Sequence, residues 1–220
     1  MNKLILILVS LVMLSLRSDN DGKTIFFFTS SFEKLNGYVK QIIEVNTDHM
    51  GNVGANNGPS RITADFDKKG DLVQVRIAAD LIMKFNTSYD SNGKRLTATG
   101  TYLAGQEIFQ FDSNGRIAKS ISKTVLDKES TGLVAQYKYD GNDDVVEIDI
   151  LDPSGKVSIK TIFGYDDKHH LITDESVVKG QPGLKGRYQY LSFDQKDNWV
   201  KRIKIEEGIK DTITRKITYY

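Results

Sequence analysis

The sequence predicts an all-β protein, an antiparallel meander of repeated β-hairpins that forms one long twisted, curled sheet. Two observations predict this fold. From Tyr38 onward apolar residues recur with a period close to two, and helical periodicity is nearly absent. Seven short motifs, each an aromatic residue or leucine followed by aspartate and a turn, also interrupt the apolar runs. They begin at Phe66, Tyr89, Phe111, Tyr139, Leu151, Tyr165 and Phe193.

Each motif has the chemistry of a tight turn between two strands. Aspartate at the first turn position can accept a hydrogen bond from the backbone amide two residues on. Asn92-Gly93 and Asn114-Gly115 then supply residues that tolerate positive φ. The residue before aspartate ends one strand, and an apolar residue after the turn opens the next. These aspartates are therefore expected to be turn caps and not parts of an active site.

The amino-terminal residues 1–18 are expected to be a signal peptide. Lys3 precedes an apolar run from Leu4 to Leu16, which is shorter than the roughly 20 residues that a membrane-spanning helix needs. A buried strand or helix is the alternative. Residues 19–34 are assigned to a lead-in segment and residues 35–220 to the repeat domain. The expected location is outside the cytoplasm, in the periplasm, at the cell surface or in the medium, with no transmembrane segment after signal removal.

Composition narrows the classes of function. The 220 residues include no cysteine, which excludes disulfides, thiolate metal sites, a thiol nucleophile and the acylated cysteine of a lipoprotein. The formal net charge of +1 gives no overall field to attract nucleic acid. No cofactor is expected.

Two stretches resemble the YD-repeat (Rhs-type) family, whose unit centres on Tyr-Asp-x-x-Gly-x-Leu. They are Tyr89-Asp90-Ser91-Asn92-Gly93 and Phe111-Asp112-Ser113-Asn114-Gly115-Arg116-Ile117. Residues 193–202 resemble a Gly-Asn-Trp variant found in small exported proteins of Bacteroidetes-type bacteria, with Asp197 in place of glycine, and Leu35-Asn36-Gly37-Tyr38-Val39-Lys40 resembles their opening. The resemblance covers roughly residues 35–220. Large members enclose a carboxy-terminal toxin, but this much shorter chain has no toxin segment, so that role is not implied.

Three pairs of aromatic residues are the candidate ligand-binding residues. The members of each pair are two positions apart, so they share one face of a strand. The pairs are Phe109 and Phe111, Tyr137 and Tyr139, and Tyr188 and Tyr190. Neighbouring strands would join them into a stripe, which either stacks against sugar rings or an extended partner or is the core face of the sheet.

Metal binding and catalysis are not expected. The acidic stretch from Asp140 to Asp144 has oxygen donors at alternate positions, but Val145 replaces the glycine of a calcium loop and Leu151 its glutamate. His169 and His170 would point to opposite faces of a strand. No Gly-x-Ser-x-Gly motif is present, and nothing in the sequence singles out a carboxylate pair facing one cleft.

The sequence therefore predicts an exported, non-catalytic repeat protein that binds a glycan or another surface protein at the cell envelope. An envelope carbohydrate-acting hydrolase and a structural spacer are the alternatives. A pocket with convergent carboxylates would favour the hydrolase, and a sheet without concavity would favour the spacer.

Overall fold

The computed structural model describes residues 24–28, 31–47, 60–77, 81–102, 105–124 and 132–220. The expected signal peptide lies outside these residues, and so do residues 19–23 and 29–30 of the lead-in segment. Within them the strands are β1 (Thr24–Phe28), β2 (Ser31–Leu35), β3 (Val39–Asn46), β4 (Ser60–Phe66), β5 (Leu72–Ile77), β6 (Leu81–Tyr89), β7 (Arg95–Tyr102), β8 (Gly105–Phe111), β9 (Ile117–Thr124), β10 (Leu133–Tyr139), β11 (Val145–Leu151), β12 (Val157–Tyr165), β13 (Leu171–Val178), β14 (Gln181–Phe193), β15 (Trp199–Glu206) and β16 (Ile209–Tyr219).

Fourteen of these strands, β3 to β16, form a closed antiparallel barrel. Each strand pairs with the next in the chain, and β16 pairs back with β3 from Ile213 opposite Asn46 to Tyr219 opposite Val39. β1 and β2 form a separate two-stranded hairpin. The all-β prediction is confirmed, but the prediction of one open curled sheet is wrong. Local turn chemistry specifies which neighbours pair, whereas closure depends on the pairing of two strands far apart in the chain.

Six of the seven Asp motifs form turns at one end of the barrel, called here the motif end. The exception is the motif at Leu151, which connects β11 to β12 and therefore lies at the opposite end. This explains the uneven spacing of the motifs, because the intervals of 12 and 14 residues on either side of Leu151 together make one ordinary interval of two strands.

The Asp turns share one hydrogen-bond pattern. In the first, the carboxylate Oδ1 of Asp67 accepts hydrogen bonds from the backbone amides of Lys69 and Asp71, at 2.8 and 2.9 Å. The amide of Asp67 donates to the carbonyl of Asp71 at 2.9 Å. In each turn the residue before the aspartate lies at a shift of the strand register that is typical of a β-bulge. Gly93 and Gly115 have φ of 78° and 75°, as the turn chemistry predicts. The aspartates are turn caps.

The barrel interior holds the hydrophobic core. Along β11, Ile148 and Ile150 point inward and are 2% and 5% exposed. Glu147, which precedes Ile148, points outward. Phe66, Leu72, Met83, Phe109, Ile117, Phe163 and Leu171 belong to the same buried cluster. Leu35, which precedes β3, is 1% exposed within it, so the segment leading into the barrel also helps to fill the interior.

Buried charges lie among these apolar residues. Arg215 donates a hydrogen bond from Nε to Glu44 at 2.8 Å and lies 3.5 Å from the Trp199 ring centroid. The guanidinium of Arg202 lies 4.2 Å from the Trp199 ring centroid and 4.7 Å from the Tyr188 ring centroid. A sheet with two open edges would place Arg215 and Lys216 as charges guarding an edge. Instead β16 is paired on both sides, and Arg215 points into the barrel.

Candidate binding surface on the outer wall

A groove on the outer wall crosses β3, β4 and β5. The cavity measures about 390 Å³ and is lined by Gln41, Ile43, Arg61, Thr63 and Arg76. This volume is within the range of about 300–1,000 Å³ that is usual for ligand sites. The lining residues alternate with core residues such as Ile42, Ala64 and Val75, so the sheet itself directs them outward.

Strand pairing sets the spacing of the groove residues. Ile43 pairs with Thr63, and Thr63 pairs with Arg76, which places the three in one row across neighbouring strands. On the other side Ile43 pairs with Lys216 of β16, which is exposed. Strands lie about 4.8 Å apart, so the row from Lys216 to Arg76 spans about 14 Å. Ile43 and Thr63 in the middle of this row are therefore bounded by a cation at each end.

Asp65 organises the end of the groove nearest the motif turns. One carboxylate oxygen accepts a hydrogen bond from the Gln41 amide at 2.7 Å, and the other accepts one from the Arg76 guanidinium at 2.9 Å. These contacts hold Gln41 and Arg76 across three strands. Arg61 is exposed, and its side chain makes no ion pair or hydrogen bond within the part of the chain that the structure describes.

Two exposed tyrosines lie next to this end of the groove. Tyr220 donates its backbone amide to the carbonyl of Tyr38 at 3.0 Å, and the rings are 51% and 61% exposed. The Tyr220 hydroxyl donates to the carbonyl of Phe66 at 2.6 Å, so its side chain extends from β16 past β3 to β4. Desolvation, followed by the charges of Asp67 and Asp65, raises the pKa of Tyr220. This ring therefore lies near the carboxylate that organises the groove.

The six aromatic residues singled out from the sequence are placed on the inner face of the barrel. Phe109, Tyr137 and Tyr188 are 1%, 8% and 7% exposed. Phe111, Tyr139 and Tyr190 are partly buried and pack against the same core. Each pair does share one face of its strand, and the core-face alternative describes the three buried rings.

Two carboxylates and a hydroxyl-rich cluster also lie inside the barrel. Glu107 is 1% exposed and accepts a hydrogen bond from Ser122, and burial raises its pKa to about 7 despite hydrogen bonds from Ser122 and Ser120. Asp174 accepts a hydrogen bond from the Tyr188 hydroxyl at 2.7 Å. Both are enclosed by the barrel wall.

His169 and His170 belong to the turn that begins at Asp166. His169 lies 2.6 Å from Asp144 through Nδ1, and His170 lies 3.1 Å from Asp166 in its own turn. The His170 ring also contacts the rings of Tyr190 and Phe193, at centroid distances of 5.0 and 4.9 Å. Among the described residues no group of three or more histidine, aspartate or glutamate side chains is arranged to hold a metal ion.

Sequence reasoning missed the groove and the exposed tyrosines. The groove residues come from three strands and form no motif along the chain: they are Gln41, Ile43, Arg61, Thr63 and Arg76. The one available signal was that each has a core residue as its neighbour in a strand of period two, which marks it as outward-facing. Tyr38 and Tyr220 meet only because β16 closes on β3.

The fold is a fourteen-stranded, closed antiparallel β-barrel. It is similar to the crystal structure of a porin-like protein from Bacteroides uniformis, with a TM-score of 0.54 and 9% sequence identity over 83% of this chain and 99% of that chain. At this identity the likeness shows the fold alone. A Tc holotoxin pore from Photorhabdus luminescens also aligns, at 14% identity over 87% of this chain and 11% of that one, but its TM-score of 0.30 supports no argument. No family model and no curated protein matches this chain.

No helix in the described part of the chain is long and apolar enough to cross a membrane.

Proposed function

We propose that this protein is an exported, non-catalytic β-barrel that binds a glycan through its outer wall, in water at the cell envelope. The observation that carries the proposal is the groove beside two exposed tyrosines. Protein sites for small ligands combine a concave surface with a few placed polar groups, and tyrosine rings supply an apolar face with a polar tip. Gln41, Arg61, Thr63 and Arg76 provide the polar groups, and Tyr38 and Tyr220 the ring faces.

The charges on the outer wall favour water over lipid as its surroundings. Charged residues point outward on strands around the barrel, among them Arg61, Arg76, Lys84, Lys119, Lys138, Glu147, Lys160, Glu175, Arg187, Lys201 and Lys216. A lysine or arginine on the lipid face of a membrane barrel costs about 2–4 kcal/mol at the bilayer midplane. A wall with so many charges is better suited to water.

A compact ion-pair network makes the same point at the middle of one strand. Lys138 contacts both Glu147 and Asp149, the latter at 2.9 Å, and Lys160 lies 2.8 Å from Glu147 and 3.6 Å from Asp149. All four side chains are on the outer wall of β10, β11 and β12. Each lysine therefore contacts both carboxylates. Burying this network in hydrocarbon would remove the water that solvates these charges.

The length of β11 is a second argument. Its seven residues are bounded by Asp turns at both ends, at Asp140 and Asp152. Seven residues extend about 23 Å, and a tilt of about 40° reduces the height to about 18 Å. The apolar band of an outer-membrane barrel is about 25 Å tall. β11 is shorter than that band.

A membrane pore is the second candidate, because the fold is similar to that of a protein described as porin-like. Against it stand the charged outer wall and the core side chains that fill much of the interior.

The hydrolase alternative has less support, because Glu107 and Asp174 face the interior. We retain membership of the YD-repeat family as part of the proposal, since the motifs form the repeated turns that the resemblance implies.

A glycan-binding screen of the exported protein, purified without detergent, tests the proposal. We expect a monodisperse protein that binds one or more envelope or environmental glycans, and we expect the double variant Y38A/Y220A to lose that binding. L96A is the matched control, because Leu96 is 50% exposed on the outer face of β7. A requirement for detergent, or ion conductance in planar bilayers, would favour a membrane pore over a binding protein. Turnover of a bound glycan would favour the hydrolase alternative.

A further inference from the structure

The groove on the outer wall carries an excess of positive charge that its own residues do not neutralise. The Arg61 side chain has no hydrogen-bond or ion-pair partner among the described residues, and Arg76 shares the single carboxylate of Asp65 with Gln41. Lys216 is exposed at the far end of the row that includes Ile43. Three cations therefore surround the cavity, and among the described residues the one carboxylate in contact with its lining, that of Asp65, is already hydrogen-bonded on both oxygens.

The side chains at this surface suit an oxyanion. The planar guanidinium of arginine presents parallel N–H donors that match a carboxylate or sulfate with two hydrogen bonds. Arg76 is oriented by its 2.9 Å ion pair with Asp65, so part of the ordering cost of binding is already met in the free protein. The Thr63 side chain adds a hydroxyl group to the lining.

We infer that the groove binds the acidic group of a sugar, a carboxylate or sulfate, while Tyr38 and Tyr220 stack against a neighbouring sugar ring. This rests on the proposed glycan-binding function and deepens it by naming the substrate class as acidic saccharides. Arg61 and Arg76 hold the anion, and Asp65 with Gln41 positions Arg76. The tyrosines contribute affinity that does not depend on charge.

The position of the tyrosines relative to the groove supports this division of roles. Lys40, whose Nζ lies 5.9 Å from the Tyr220 ring centroid, precedes Gln41 in the same strand. The ring of Tyr220 and the lining residue Gln41 are thus adjacent on one wall. A chain of several sugars lying along this wall contacts the rings at one end and the arginines at the other.

Binding of matched saccharides by calorimetry tests the inference. The probes are an oligogalacturonate, its methyl-esterified neutral counterpart of the same length, a sulfated oligosaccharide, inorganic sulfate and a single-stranded oligonucleotide. The variants are R61Q, R61K and, as the control, R187Q, since Arg187 is an exposed outward-facing arginine on β14 without an ion pair among the described residues.

The wild type should bind an acidic saccharide at least tenfold more tightly than the neutral one, and salt should weaken the binding. R61Q should remove that preference while keeping the affinity for the neutral saccharide, R61K should restore part of it, and R187Q should change nothing. Whether uronate or sulfate binds more tightly identifies the oxyanion.

Three results would overturn the inference. They are equal affinity for acidic and neutral sugars, equal effects of R61Q and R187Q, or preference for inorganic sulfate or the oligonucleotide over every saccharide. The first two leave glycan binding itself intact, whereas a failure of the wild type to bind any saccharide removes the proposed function.

Discussion

The side-chain amide of Asn198 hydrogen-bonds both backbone groups of Asn36, 162 residues away in the chain. Its Oδ1 accepts from the Asn36 amide at 2.7 Å, and its Nδ2 donates to the Asn36 carbonyl at 2.9 Å. Nδ2 also lies 2.7 Å from the Tyr219 hydroxyl. Asn198 is 3% exposed, so these bonds are shielded from water.

This contact completes a turn whose two halves come from distant parts of the chain. In the intact Asp67 turn, the Asp67 amide donates to the carbonyl of residue 71, and the Asp67 carboxylate accepts from the amide of residue 69. At the closure of the barrel the Tyr220 amide donates to the Tyr38 carbonyl in the same way. The Asn36 amide, which takes the place of residue 69, finds its acceptor in Asn198. The barrel therefore closes through a split copy of its own turn motif.

Replacing Asn198 with alanine should destabilise the barrel. N198A leaves two backbone groups of Asn36 without their partners, and a buried polar group without a partner costs about 1–3 kcal/mol. Urea unfolding followed by circular dichroism measures the change in free energy. The control is N92A in an exposed turn, which is expected to change stability by less than about 0.5 kcal/mol. Equal stability of the two variants would show that Asn198 does not hold the closure.

Replacing Asp197 with glycine should stabilise the protein. Asp197 has φ of 62° at the turn position where Gly93 and Gly115 have 78° and 75°. The left-handed region costs a residue with Cβ roughly 1 kcal/mol, and Asp197 makes no hydrogen bond with its side chain among the described residues. D197G should raise the free energy of unfolding by up to about 1 kcal/mol.

The reverse change at an equivalent turn is the matched control. A Cβ at position 115 meets no atom within 4 Å, so G115V tests backbone strain without a clash at Cβ. We expect G115V to lower stability by roughly 1 kcal/mol or more. If D197G destabilised and G115V had no effect, the backbone argument would be wrong at both turns.

The turns could be predicted from the sequence because their chemistry is local. Asp112 binds amides only two and four residues away, so the motif contains its own explanation. Closure could not be predicted, because the β16–β3 pairing uses ordinary strand residues and a split turn that lacks the aspartate. The pair spacing correctly placed Tyr188 and Tyr190 on one face, but whether that face is inside depends on closure. The meeting of Tyr38 and Tyr220 beside the groove was missed for the same reason.

The stability of the Asp turns should decrease in acid. Burial alone would raise the pKa of Asp112, but hydrogen bonds from the Arg116 backbone and side chain, and from the Asn114 amide, lower it below its usual value of 3.8. A folded-state pKa below the unfolded one contributes stability above pH 3.8, and that contribution is lost as pH falls through the lower folded value. The free energy of unfolding of the wild type should therefore fall below about pH 4.

D112N isolates this contribution. The amide retains an oxygen that can accept the two backbone hydrogen bonds but carries no charge and does not titrate. We expect D112N to be less stable than the wild type at pH 7 and to differ from it less at pH 2.5. The measurement is the urea midpoint at several pH values. A constant difference between the two proteins across this range would contradict the assigned direction of the pKa.

Glu107 should make the barrel less stable in alkaline solution. Burial raises the folded pKa of its carboxyl to about 7 from 4.5, against the opposing hydrogen bonds of Ser122 and Ser120. Because the folded protein binds the proton more tightly than the unfolded chain, the contribution to stability is fully present below pH 4.5 and is lost as pH rises through 7. A difference of this size corresponds to at most about 3 kcal/mol.

E107Q, which is neutral at every pH, should therefore be more stable than the wild type at pH 8.5 and nearly equal to it at pH 4.5. E175Q on the exposed outer wall is the control and should show no such difference. If E107Q were equally stabilising or destabilising at both pH values, Glu107 would not carry the raised pKa that its burial implies.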